Sequence, residues 1–238
     1  MAPRAVAINV AANTQLPGVR GPVSPDGRFE YVPIPEREPT AEPVPTYGDL
    51  RLDVDLPDDL RDRRVHLDPE FAGVHGSTAH TYGDEHGVKA GPLSGLDPGD
   101  CLLFYATLSL RGDPDAAAPW VLPDWGAYLV GAFRVAEVWT GAAFEDLPAD
   151  HPARERLASN AHLRRADPDP KVLVRGDDRS RLFDRAVPLS AGPGSEANRL
   201  VTDLAGDSGR GPWWRRVLRF DPDATAALLD VLDDPAAV

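Results

Sequence analysis

The chain is poor in cysteine and in long apolar runs, and each shortage excludes something. One cysteine in 238 residues, Cys101, rules out an internal disulfide and any cysteine-rich zinc site. Its place in an apolar run marks it as a small buried hydrophobe. No apolar stretch approaches the length of about 18 residues that a membrane span needs. The few apolar residues between Met-Ala-Pro-Arg and Asn9 are too short for the core of a signal peptide, so a cytoplasmic chain without a membrane partner is expected. GxxxxGK[ST], GxGxxG after a strand and GxSxG are all missing, which removes P-loop, dinucleotide-binding and nucleophile-elbow enzymes. His66, His75, His80 and His86 show no helical ligand spacing and there is no HExxH, so the sequence assigns no metal and no cofactor.

What is present is acid. The formal net charge is −13, and of 25 basic residues only Lys89 and Lys171 are lysines. The acids are mostly Asp, in clusters such as Asp53, Asp55, Asp58 and Asp59. This texture resembles the acidic proteins of salt-adapted archaea, in which surface charge keeps proteins in solution. Residues 151–220 depart from it, with 14 Arg and Lys against 9 Asp and Glu, a local balance of +5 where the rest carries −18. That segment is a candidate anion-binding face.

Residues 5–10 read as a short buried strand. A loop fixed by Pro17-Gly18, Gly21-Pro22 and Pro25-Asp26-Gly27 follows, the last being a β-turn in which Pro presets φ and Gly accepts a positive one. Phe29, Tyr31 and Val32 have strand-like content, and 36–46 reads as a Pro-rich extended connector. "HLDPEF" and "HGSTAHTYGDEHG" read as loops. "LDPGDCLLFYATL" and "WGAYLVGAFRVAEVW" are the strongest pattern, two neighbouring strands of a central antiparallel sheet, the second alternating through Val135, Glu137 and Trp139. "HPARERLASNAHLRR" predicts a helix, "KVLVRG" a strand and 221–238 a C-terminal helix capped by Asp221 with Pro222 at its first position. Together these predict one α+β domain over 1–238, mostly antiparallel, with a few flanking helices.

The candidate site residues fall into two sets. A ligand-binding set has Asn9, Asn13, Thr14, Arg20 and Ser24 on the rigid N-terminal loop, whose preset shape lowers the entropy lost on binding. To it belong Phe104 and Tyr105, one of whose rings is expected to face outward and stack on a base, His162 for hydrogen bonds, and Arg164, Arg165, Arg215 and Arg216 for phosphates. A catalytic set is His66 and Asp68 of "HLDP", two apart on an extended segment and so pointing the same way. Trp213-Trp214 beside two arginines is a candidate partner-binding hot spot.

Two resemblances add to this. "PGDCLLFYATL" with "YLVGAFRVAEVW" resembles the strand pair of the PUA-like superfamily (EVE, ASCH and YTH type), which implies a small β-barrel or strongly curved sheet that binds RNA or modified bases. The order "GVRGPVSPDGRFEYVPIPE", "YGDL", "HLDPEF", "GDCLLFYATL", "GAYLVGAFRV", "NAHLRR" and "GPWWRRVL" resembles, over nearly the whole chain, the third of the nucleotide-modification-associated domain families. Members carry a charged segment where this chain has "NVAANTQ". The resemblance implies a protein that recognises a nucleotide or a modified base in nucleic acid, alongside other proteins of a modification system. The alternatives are an enzyme of base or nucleotide modification using His66 and Asp68, and a scaffold.

Overall fold

The computed structural model describes residues 2–54, 56–192 and 194–232. In chain order the elements are β1 (Ala5–Asn9), β2 (Gly21–Val23), β3 (Ile34–Pro35), β4 (Val65–His66), β5 (Thr81–Asp84), α1 (Gly87–Ser94), β6 (Cys101–Leu110), β7 (Trp125–Thr140), α2 (Gly141–Glu145) and α3 (Pro152–Leu157). After these come β8 (Val172–Gly176), β9 (Arg181–Pro188), β10 (Ser190–Ala191), β11 (Glu196–Ala197), β12 (Leu218–Phe220) and α4 (Pro222–Leu232). Residues 233–238 of the expected C-terminal helix lie outside the described residues.

Eight strands form one mixed sheet in the order β12-β1-β6-β7-β8-β5, with β2 beside β6 and β9 beside β7. This corrects the expected mostly antiparallel barrel or strongly curved sheet. β1 and β2 both run parallel to β6, and among the described residues the end strands β12 and β5 do not pair, so the sheet is open. The barrel expectation rested on the β6 and β7 sequences, which are indeed neighbours. It could not register that β1, about ninety residues upstream of β6, inserts beside it in parallel, a pairing that needs a long crossover.

The chain divides into two compact units, each assembled from separated segments: residues 1–32, 101–132 and 183–238 in one, 33–100 and 133–182 in the other. In the first unit, β1 pairs with β6 from Ala5↔Cys101 to Asn9↔Tyr105. The continuous apolar run of β6 is what a strand covered on both faces requires. Its first eight residues are all buried. The core gathers Ala7, Leu103, Leu129, Val187, Leu218 and Leu228 around the buried indole of Trp213. α4 starts as its sequence predicts, with Asp221 Oδ1 accepting the Ala224 N–H at 2.8 Å. The Pro-Asp-Gly turn also forms: the Ser24 carbonyl accepts the Gly27 N–H at 2.8 Å, and Gly27 has φ +83°. A Cβ there would lie 1.8 Å from the Trp120 ring.

In the second unit, β7, β8 and β5 are antiparallel neighbours. The expected helix "HPARERLASNAHLRR" runs only from Pro152 to Leu157. Asn160 then takes over, its Oδ1 accepting the His162 N–H at 3.1 Å, which is how Asn side chains compete with helical hydrogen bonding. Ala153 and Leu157 pack on Phe144 and Leu173. On β7, Glu137 accepts from Arg156 at 2.8 and 2.9 Å, from Trp139 Nε1 at 3.1 Å and from Arg175. Burial alone would raise its carboxyl, yet these donors hold it at about 2. A depressed carboxylate contributes stability that is present above its unfolded pKa, about 4.3, and fades as pH falls through the folded value. Glu137→Gln is therefore expected to lower the melting temperature at pH 7, and the gap from wild type should shrink between pH 4.5 and 2. A gap constant over that range would contradict the assignment.

Candidate functional site

Within the second unit, three side chains from two distant parts of the chain converge. β4 pairs with β3 so that Ile34 faces His66, which sets Glu36 beside the histidine ring. His66 Nδ1 lies 2.6 Å from Glu36 Oε2. A carboxylate only accepts, so Nδ1 is the donor, and in the neutral ring His66 Nε2 presents its lone pair away from Glu36. Asp68 follows on the same extended segment. Its Oδ1 accepts the Gly83 N–H at 2.9 Å and Asn160 Nδ2 at 3.1 Å, which aims Oδ2 at the histidines. His162 completes the group, its Nε2 lying 3.3 Å from His66 Nε2 and 3.4 Å from Asp68 Oδ2. The third edge, His66 Nε2 to Asp68 Oδ2, is 4.0 Å. His66, Asp68 and His162 are only 4, 7 and 5 % exposed.

The surroundings fix these groups in place. Asn160 ties Asp68 to the His162 backbone and donates to Thr81 Oγ1 at 3.2 Å. Gly83 leaves room for the cluster, since a Cβ there would meet His162 Cδ2 at 2.6 Å and Asn160 Oδ1 at 2.8 Å. Glu36 also receives Arg165 Nη2 at 3.2 Å and the Glu38 N–H at 2.9 Å. Burial opposes its charge, but His66, Glu38 and Arg165 outweigh that and hold the carboxyl at about 2. Arg165 pairs in addition with Glu85. Glu70 accepts from Thr81 Oγ1 at 2.9 Å and Ser159 Oγ at 2.7 Å. Burial first, and the charge of Asp68 in addition, push its carboxyl up. Burial likewise pulls the Lys89 amine down, against the charges of Asp84 and Asp68. An oriented, nearly dry His-Asp-His group can accept, donate or relay a proton, or bind a cation.

The structure thus brings together His66, Asp68, His162 and Arg165, which the sequence had placed in two separate sets. Glu36, Glu70, Glu85, Lys89 and Asn160 were missed. Glu36 lay in a segment read as an unpacked connector, and nothing local to Asn160 separates a helix interior from a site. Arg164, also in this unit, donates to the Pro43 carbonyl at 2.8 Å.

The remaining candidates lie in the first unit. Asn9 reaches the Tyr105 carbonyl at 3.5 Å. Asn13 Oδ1 closes its own turn by accepting the Gln15 and Leu16 N–H groups at 2.9 and 3.2 Å. Thr14 is exposed and Ser24 is half-buried in the turn before Gly27. Arg20 lies over the Trp125 ring at 4.3 Å from its centroid. Phe104 and Tyr105 are both 0 % exposed, and the Tyr105 hydroxyl donates to the Arg216 carbonyl. Neither ring offers a stacking face to solvent, because β6 is a central strand covered on both sides. Arg216 pairs with Asp207 at 2.7 Å, while Arg215 is exposed. Trp213 is a core residue that donates its indole N–H to the Ser195 carbonyl at 2.8 Å.

Residues 4–230 match the family described as nucleotide modification associated domain 3, and the chain belongs to that family. Its role accordingly lies in a nucleotide modification system. No curated protein and no solved structure matches the chain. Among the described residues, no helix is long and apolar enough to cross a membrane.

Proposed function

We propose that the chain is an enzyme of its modification system, acting on a nucleotide or on a base in nucleic acid at the His66–Asp68–His162 cluster. The observation that carries this reading is the convergence of two imidazole nitrogens and a carboxylate oxygen within 4.0 Å at a buried place. A stability-driven core has little use for such a group, since burying charge and unpaired polar atoms is costly. In the same unit Phe144, Arg154, Leu163 and Lys171 line a cleft of about 790 Å³, a volume in the range of nucleotide-sized ligands, and the three cluster residues are not among its lining.

Recognition without chemistry is the second reading, and one observation favours it. In the first unit the Nε of Arg20 is buried without a hydrogen-bond partner while its guanidinium stacks on Trp125, an arrangement suited to a phosphate or a base. One experiment separates the two readings: incubation of the purified protein with nucleotides and with modified and unmodified oligonucleotides, read by mass spectrometry. A mass change in one substrate class that is lost in His66→Gln is the expected result. Binding without any mass change, abolished by Arg20→Ala, would replace the enzyme with the recogniser.

A further inference from the structure

We propose that His66 Nε2, His162 Nε2 and Asp68 Oδ2 hold one divalent transition-metal ion. The inference rests on the enzymatic reading only for its use in catalysis; the binding itself follows from valence and distance. In a neutral His66 ring Nε2 is a lone pair, because Nδ1 donates to Glu36 at 2.6 Å. Facing it at 3.3 Å is another ring nitrogen, His162 Nε2. If that nitrogen carries the His162 proton, then Nδ1 becomes an acceptor, yet Nδ1 is buried with no hydrogen-bond partner. If Nδ1 carries the proton, three lone pairs from His66, His162 and Asp68 point at one another. Neither neutral tautomer is satisfied by the protein alone. A cation satisfies the second, and Glu85 Oε2, 4.0 Å from His162 Nδ1, is then a carboxylate facing the N–H of a metal-bound imidazole.

Distances agree with this. Ligands about 2.0–2.2 Å from a metal at tetrahedral or octahedral angles stand roughly 3.0–3.5 Å from one another. Two edges of the triangle, 3.3 and 3.4 Å, fall there, and the third, 4.0 Å, needs a closure of about half an ångström. Two imidazoles and one carboxylate suit Zn(II) or Fe(II) rather than Mg(II) or Ca(II). Three protein ligands also leave positions open, as catalytic rather than structural sites do. The orienting groups are already in place, Glu36 on His66 and the Gly83 N–H with Asn160 on Asp68. An open position would take a water molecule or an oxygen of the nucleotide substrate.

The test strips the full chain with a chelator, then titrates it with Zn(II), with Co(II) and, without oxygen, with Fe(II), in the absence of substrate. Metal content is read by mass spectrometry and geometry by the visible absorption of Co(II). One equivalent is expected in wild type and in His86→Ala, an exposed histidine outside the cluster. Affinity should fall by at least about 100-fold in His162→Ala and in Asp68→Ala, with folding checked by circular dichroism. Should both variants fail to fold, Glu36→Gln is expected to weaken binding by about 10–100-fold through His66. No stoichiometric uptake of Zn(II), Co(II) or Fe(II), or uptake unchanged in these variants, would overturn the site. Because no substrate is present, an active protein that takes up no metal refutes only this inference, and a metal-binding protein that converts nothing refutes only the enzymatic reading.

Discussion

Asp68→Asn is expected to lower turnover of the nucleotide substrate by about 10²–10⁴-fold, the range for losing a positioned acid–base or charge-stabilising group. The substitution keeps the side-chain volume and an oxygen for the Gly83 N–H and Asn160 amide that now hold Oδ1. It removes the charge and the lone pairs that Oδ2 turns toward His162 at 3.4 Å. The melting temperature should therefore change by only a few degrees while the rate collapses, a split that a purely structural Asp68 would not produce. Rates within threefold of wild type would remove Asp68 from the chemistry.

Trp213→Ala is expected to be strongly destabilising. The side chain is 0 % exposed in the core of the first unit, and its indole N–H reaches the Ser195 carbonyl at 2.8 Å. Truncating a buried Trp costs about 3–5 kcal/mol, since the transfer energy is lost and a cavity remains. In a chain of this size that corresponds to a fall of about 6–20 °C in melting temperature. Trp213→Phe, which fills most of the cavity, should recover part of the loss. A fall under about 2 °C for the alanine variant would show that Trp213 is a surface anchor, as the Trp-Trp-Arg-Arg sequence read by itself implies.

Where local chemistry decides, the sequence was readable. Pro25-Asp26-Gly27 makes its turn, Asp221 caps α4, and "KVLVRG" is β8, because each depends on residues within a few positions. The fold class failed where remote pairing decides. Nothing within "AVAINV" announces that it lies parallel to "CLLFY", which makes the sheet mixed, and nothing within "CLLFY" says that both faces of β6 are covered, which buries its two rings. The site shows the same boundary. His66 and Asp68 share a strand-like segment, so their cooperation follows from period-two geometry. His162 is 96 residues from His66 and reaches it only because α3 stops at Leu157 and Asn160 turns the chain. A search for ligands at helical spacing is blind to such a group. Glu36 was hidden differently: a Pro-rich composition signals extended backbone, but it says nothing of what an extended segment packs against.

The most direct test of the central claim is nucleoside composition. DNA, RNA and free nucleotides from cells producing the wild-type chain with its modification system would be compared, by mass spectrometry, with those from cells producing Asp68→Asn at the same level. The account predicts a nucleoside or nucleotide species whose amount depends on the wild-type chain and reverts with the variant to the level seen without the protein. Identical composition in both, with the substituted protein still supporting the system, would place the function outside the His66–Asp68–His162 cluster.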